Sequence, residues 1–101
     1  MAFPGNIVKT VLAGATASFG CPVKSDSNPV YTFQVVVVGS SVAIQGTLDD
    51  PTAAQATWIT LTGLSAINAN AIVTFEGNLN GIKYVVTGGT SATITLQLPN
   101  P

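Results

Sequence analysis

Charge is the scarcest property of this 101-residue sequence. Only 7% of its residues are charged, three lysines against four acidic residues, and it contains no arginine. An average soluble protein carries about 25% charged residues. Because binding to a nucleic-acid backbone requires clustered cations, we expect no nucleic-acid partner. A net charge of −1 also leaves little repulsion between copies, so the surface is suited to contact with protein.

Histidine is missing altogether. Its absence excludes Ser-His-Asp and Cys-His catalysis and histidine-ligated zinc. The acidic residues are Asp26, Asp49, Asp50 and Glu76, and the adjacent pair is followed by Pro51, which predicts a turn. A calcium site or an acid–base pair is the alternative interpretation of these carboxylates. We therefore expect no enzymatic activity, no catalytic residue, no metal and no cofactor.

Cysteine and long apolar runs are also scarce. The single cysteine, Cys21, excludes an internal disulfide and is typical of a small buried residue. The longest apolar runs, such as residues 35–38, are far shorter than the roughly 20 residues that a membrane helix needs. The first residues lack the basic segment and apolar core of a signal peptide. We expect no targeting segment and no membrane partner.

What the sequence has in abundance is alternation of apolar with polar residues, rich in Val, Ile and Thr, which indicates half-buried strands. In residues 31–38, Phe33, Val35 and Val37 face one way, while Val36 and Val38 lie on the second face. The same alternation predicts further inward-facing sets: Val42, Ile44, Gly46 and Leu48; Ile82, Tyr84 and Val86; Ala92, Ile94, Leu96 and Leu98. The fold class is therefore all-β, an antiparallel β-sandwich or jelly-roll.

Turn residues divide these strands. Residues 49–52 are predicted as a turn, residues 58–62 as a short strand, and Gly88-Gly89 as a hairpin turn rather than a phosphate loop. Only residues 55–58 and 64–71 leave room for a helical turn.

The first 29 residues are less regular than the rest. Residues 7–12 can form a strand, but the glycines, prolines and polar run that follow indicate a loop. We expect one domain, with an N-terminal arm or a first strand plus loop over 1–29 and the β-sandwich core over 30–101. Neighbouring subunits could order such an arm.

Two aromatic residues are candidates for ligand stacking. Trp58 and Tyr84 could stack on a sugar ring, as exposed aromatic side chains on β-sandwiches do. Burial in the core is the favoured interpretation, because an aromatic ring buries a large apolar area and Trp58 is followed directly by alternating strand residues.

Two motifs in residues 31–98 carry a family resemblance. "VAIQGTLDDPTAAQATWITL" joins an apolar strand, a Leu-Asp turn and a Trp-containing strand, and "IKYVVTGGTSATITLQL" joins a Tyr-Val strand, a Gly-rich turn and a Thr-alternating strand. In order and spacing this region resembles small structural proteins of tailed bacteriophages, most closely capsid cement, or head decoration, proteins.

The resemblance implies a non-enzymatic virion protein, made in the host cytoplasm and located on the outer capsid surface. Its partner would be the major capsid protein, and it would bridge capsomers as a homo-oligomer, with a trimer favoured. We predict subunit contacts through the second face of the strand over 30–38 and through the N-terminal arm. The candidate contact residues are Val36, Val38, Ile7, Val8 and Val11.

The alternative is a tail, neck or fibre-associated virion module that binds carbohydrate. It predicts that Trp58 or Tyr84 is exposed. A small hydrolase would need clustered carboxylates, and an ice-facing surface would need a flat array of threonines such as Thr93 and Thr95.

Overall fold

The computed structural model describes residues 6–20, 30–77 and 79–97. These residues form eight strands in chain order. The strands are β1 (Asn6–Leu12), β2 (Thr16–Gly20), β3 (Val30–Val38), β4 (Ser41–Thr47), β5 (Ile59–Thr60), β6 (Ala71–Glu76), β7 (Gly81–Thr87) and β8 (Ser91–Gln97). The described residues contain no helix that is long and apolar enough to cross a membrane.

The strands form two antiparallel four-stranded sheets packed face to face. Sheet A has the order β1-β8-β3-β6, and sheet B has the order β2-β7-β4-β5. The first strand therefore pairs with the eighth, the second with the seventh, the third with the sixth and the fourth with the fifth. This nested pairing is the winding of an eight-stranded jelly-roll. The predicted all-β antiparallel sandwich is confirmed.

The core lies between the sheets and is built from the predicted alternation. Phe33 and Val35 on β3 are fully buried and face Leu96 and Ile94 on β8 across the ladder. The predicted inward sets on β7 and β8 are buried as well, except that Leu98 lies outside the described residues. Period-2 alternation is therefore sufficient to define the inner face of the central strands.

Aromatic rings from both sheets pack against one another in the core. Tyr84 on β7 packs edge-on against Phe33 of the opposite sheet, with ring centroids 6.2 Å apart, and against Phe19 on β2 at 5.6 Å. Such edge-to-face pairs contribute about 0.5–1.5 kcal/mol beyond area burial. The ring of Tyr84 is fully buried, so the core interpretation of this residue is correct.

The glycine-rich connections differ from the prediction. The strands that flank Gly88-Gly89 lie in different sheets, so this turn is a crossover between sheets and not a hairpin. The connection through Gly39 also crosses from sheet A to sheet B, and the two crossovers meet at one end of the sandwich. Thr90 N–H donates to the carbonyl of Val38 at 2.9 Å, which joins them.

The strand predicted over 58–62 is shorter in the structure. Strand β5 holds only two residues, and the chain then follows β4 irregularly, placing Leu61, Leu64 and Ile67 in the core. Backbone bonds to Ile44 and Val42 replace a regular ladder there. Neither segment that left room for a helical turn contains a helix.

Leu48 is a second correction, because it was expected to face inward and is 69% exposed. Strand β4 ends at Thr47, whose hydroxyl accepts a hydrogen bond from Asp49 N–H at 3.0 Å. The alternation stops where the strand stops.

Residues 6–20 belong to the sandwich. The strand expected over 7–12 is present as β1, which pairs with β8 along its whole length. Strand β2, which the sequence pattern did not predict, pairs with β7. The remainder of the predicted arm, residues 1–5 and 21–29, lies outside the described residues.

Candidate functional site

The outer face of sheet A, meaning the outward side chains of its four strands, is the broadest candidate surface. Across the sheet its residues form rows set by the strand register. One row runs from Val8 through Thr95 and Gln34 to Ile72. The next joins Thr10, Thr93 and Val36, and the two threonine hydroxyls lie 3.1 Å apart. The face is therefore made of valine, isoleucine and threonine methyl groups interspersed with small neutral polar groups.

Charge is confined to the edges of this sheet. The two central strands, β3 and β8, contain no charged residue. Sheet A has one lysine, Lys9 on the edge strand β1, and one carboxylate, Glu76 on the edge strand β6. Lys9 alternates with the exposed residues of β1 and places its ammonium 5.8 Å from the centre of the Phe19 ring, between the sheets. A partner that covers the centre of the face would desolvate no charge.

The predicted subunit-contact residues are divided between this face and the core. Val36 and Val38 point outward and are 39% and 54% exposed, as the alternation predicts. On β1, Val8 is 51% exposed, whereas Ile7 is half-buried and packs against the core. Val11 is buried and part of the core cluster, so its side chain is not placed to contact another subunit.

Exposed apolar residues outside the predicted set extend the face. Leu12 and Ile72 are both more than half exposed on strands β1 and β6, and neither was singled out in the sequence. Their alternation with buried or half-buried neighbours in an apolar strand was the available signal, because an apolar residue out of phase with the core must face outward.

Trp58 lies outside the core, contrary to the favoured interpretation. It is half-buried on the outer side of sheet B, where the segment after β4 folds back over Gly81. A Cβ atom on Gly81 would lie 3.1 Å from Cη2 of Trp58 and 2.5 Å from Cβ of Pro51, so glycine makes room for this covering. The Lys83 ammonium lies 5.6 Å from the centre of the indole ring, within cation–π range.

The carboxylates in the turn after β4 bind to the backbone of that turn. The Asp50 carboxylate accepts hydrogen bonds from the Thr52 hydroxyl at 2.7 Å and the Thr52 N–H at 2.9 Å. These two bonds, the hydroxyl first, lower the pKa of Asp50 from its usual 3.8. The Asp49 carboxylate accepts from Thr57 N–H at 2.7 Å. The predicted turn is confirmed, and each carboxylate accepts a hydrogen bond from a separate backbone N–H.

A cleft opens beside this turn, between the end of β4, the start of β5 and the loop that contains Leu79. Its volume is about 370 Å³, and we call it the mouth cleft. Its lining residues are Gly46, Thr47, Leu48, Asp49, Thr57, Ile59, Leu61 and Leu79. Sequence reasoning missed this cleft because it depends on where β4 ends and on how the following segment returns.

Chemistry-bearing groups do not converge within the described residues. No group of three or more Cys, Asp or Glu side chains there could hold a metal ion. Cys21 and Asp26 lie outside the described residues. The arrangement offers two surfaces for binding, the outer face of sheet A and the mouth cleft.

Comparison with known proteins adds no assignment: neither a protein-family model nor a curated protein sequence matches this chain.

Proposed function

We propose that this protein is a non-enzymatic capsid decoration protein of a tailed bacteriophage. In this proposal it binds the outer head surface through the outer face of sheet A and stabilises contacts between subunits of the major capsid protein. The observation that carries the proposal is the face itself, which has uncharged central strands, rows of mainly β-branched side chains in register and charge only on its edge strands.

The size of the face favours repeated weak contacts over one strong contact. Four strands about 4.8 Å apart and about seven residues long on average, at about 3.3 Å per residue, give a projected footprint of roughly 450 Å². A standard stable interface buries about 800 Å² per partner. One copy is therefore expected to bind weakly through this face, and many copies on a lattice, or several faces in one oligomer, raise the overall strength.

A homo-oligomer supplies such multiple faces. We favour a trimer with closed cyclic symmetry, because three copies would present three equivalent faces to neighbouring capsomers. The low net charge of −1 allows copies to approach without strong repulsion.

The fold is compatible with this role and does not decide it. Jelly-rolls occur in viral capsid proteins and also in lectins, so the architecture supports virion structure and carbohydrate binding equally. A decision has to come from the surfaces.

A carbohydrate-binding tail, neck or fibre module remains the second candidate, and the observation in its favour is the half-exposed Trp58. Against it, Tyr84 is fully buried and Lys83 covers part of the indole. Of the two aromatic residues considered for sugar stacking, only Trp58 is therefore accessible.

The first experiment counts and locates the protein in purified particles by quantitative gel analysis and cryo-electron microscopy. Hundreds of copies on the outside of the head, at capsomer joints, are the expected result. A few copies at the tail would overturn the proposal and favour the second candidate.

The second experiment tests the face directly by adding purified protein to heads from which it has been removed. Val36→Lys and Val38→Lys place a charge on the central strand β3 and should weaken head binding about tenfold or more, because the ammonium must be desolvated. Ala66→Lys is the matched control, since Ala66 is exposed but belongs neither to sheet A nor to the mouth cleft. Equal binding by all three variants would exclude the face.

A further inference from the structure

The mouth cleft has the composition of a recognition pocket. We propose that it is a docking site for a segment of a partner protein that inserts an aliphatic side chain flanked by lysine or arginine. This proposal is independent of the decoration role, because the cleft and the outer face of sheet A share no residue.

Part of the apolar wall of the cleft is formed by Leu79 and Leu61, which pack directly on Gly46 because glycine has no side chain there. Gly46 forms part of its lining, and a Cβ atom at this position would lie 2.7 Å from Leu79 Cδ2 and 3.1 Å from Leu61 Cδ2. Leu79 is held in place by its backbone N–H, which donates to the Tyr31 hydroxyl at 3.4 Å. The volume of about 370 Å³ falls in the range of pockets that bind ligands, about 300–1,000 Å³.

The rim of the cleft indicates a polypeptide rather than a free small molecule. Leu48 and Ile59 line the cleft, yet they are 69% and 64% exposed. An occupant confined to the cavity would leave much of both side chains in water. A polypeptide segment that inserts one side chain and lies across the rim would cover them, in the manner of an anchor residue surrounded by contacts that exclude water.

Charge complementarity selects the flanking residues of that segment. Among the described residues that line the cleft, Asp49 is the only charged one. Its carboxylate is held in position by the bond from Thr57 N–H, which still leaves it able to accept further hydrogen bonds. A lysine or arginine beside the inserted side chain would pair with this carboxylate and lay its aliphatic stem along the apolar rim. A flanking carboxylate would be repelled.

The test uses the full-length protein and three capped pentapeptides. The first has a central leucine flanked by lysines, the second the same leucine flanked by glutamates, and the third a central serine flanked by lysines. Methyl NMR signals of Leu48 and Ile59 report occupancy, and emission from Trp58, the only tryptophan, gives a second readout next to the cleft. The lysine–leucine peptide should bind about tenfold or more tightly than either of the others.

Variants distinguish peptide binding in the cleft from nonspecific hydrophobic binding elsewhere on the protein. Asp49→Asn keeps an acceptor for Thr57 N–H and removes the charge, so it should reduce the preference for lysine over glutamate flanks. Asp50→Asn is the matched control, because Asp50 is adjacent but does not line the cleft. Ile59→Ser should weaken binding of the lysine–leucine peptide, whereas the equally exposed Ile72→Ser on sheet A should leave it unchanged.

Three results would overturn the proposal. The Leu48 and Ile59 methyl signals could stay unmoved by millimolar peptide, or the glutamate-flanked peptide could bind as tightly as the lysine-flanked one. In the third case, a free aliphatic alcohol such as hexanol would bind as tightly as the lysine–leucine peptide, which would make the cleft a small-molecule pocket.

Discussion

The contact between the two glycine crossovers provides a sharp test of the structure through Gly89→Ala. Gly89 has a φ of +61°, and a methyl group there would overlap the carbonyl group of Gly39 and lie 2.5 Å from the Val38 oxygen. The neighbouring Gly88 has a similar φ of +71°, but a methyl group there would be 4.0 Å from the Gly39 oxygen. Gly88→Ala is therefore a control with the same backbone strain and no overlap.

The expected loss in the free energy of unfolding follows from the backbone strain, which both variants share, and from the overlap, which only Gly89→Ala creates. An L-residue in the left-handed region costs about 1–2 kcal/mol. The reduced freedom of the unfolded chain offsets about 0.4–1 kcal/mol of that cost. Gly88→Ala should therefore lower the free energy of unfolding by about 1 kcal/mol. Gly89→Ala adds about 1–3 kcal/mol for overpacking and about 1 kcal/mol if the bond from Thr90 N–H to Val38 is lost. Its total cost should be about 3–5 kcal/mol.

Urea unfolding and thermal unfolding, followed by circular dichroism, measure both variants. One kcal/mol shifts Tm by roughly 4–8 °C in a domain of this size, so Gly89→Ala should melt at least about 8 °C below Gly88→Ala. If the two variants lose stability equally, the crossovers do not pack against each other as described. A Gly89→Ala protein as stable as the wild type would refute the positive φ as well.

Two further predictions concern packing and titration. Ile94→Ala should lower the free energy of unfolding by roughly 2–5 kcal/mol, because Ile94 is fully buried. Ile72→Ala, at an exposed position, should change it by less than about 0.5 kcal/mol. Equal losses of stability in urea unfolding would contradict the core assignment. The Asp50 carboxyl should titrate in NMR with a pKa below 3.8, and this pKa should rise in Thr52→Ala, which removes the hydroxyl donor. Because the folded-state pKa is lowered, the contribution of Asp50 to stability is present above the pKa of the unfolded chain and is lost as pH falls through the folded-state pKa. An unchanged Asp50 titration in Thr52→Ala would contradict the hydrogen bond.

The strand pattern predicted the inner face of the sandwich well because alternation follows directly from the pleat. Phe33 and Val35 on β3 and Ile94 on β8 are buried as the period of two requires. The connections could not be predicted in the same way. A Gly-Gly turn is compatible with a hairpin and with a crossover, and only the partners of the flanking strands distinguish the two. Those partners are set by contacts distant in sequence.

The candidate surfaces also divide into features that alternation predicts and features that depend on contacts distant in sequence. Val36 and Val38 could be assigned outward from the sequence, because they are out of phase with the core residues of their own strand. Trp58 could not, because its position depends on how the segment after β4 folds back over Gly81. One wall of the mouth cleft likewise depends on Leu79, from another loop, packing against the glycine at position 46. Sequence spacing alone carries no information about either contact.

The placement of charge in sheet A favours its face, rather than its edges, as the surface for the proposed association. Free edge strands pair readily with other chains, and inward-pointing or edge charges are a common protection against such pairing. Here Lys9 on β1 points between the sheets and Glu76 lies at the end of β6, so both edge strands carry a charge while the central strands carry none. A chain with few charges that places two of them on these edges disfavours open-ended strand addition. The contact that remains favourable is coverage of the uncharged centre of the face, which is the geometry that the decoration proposal requires.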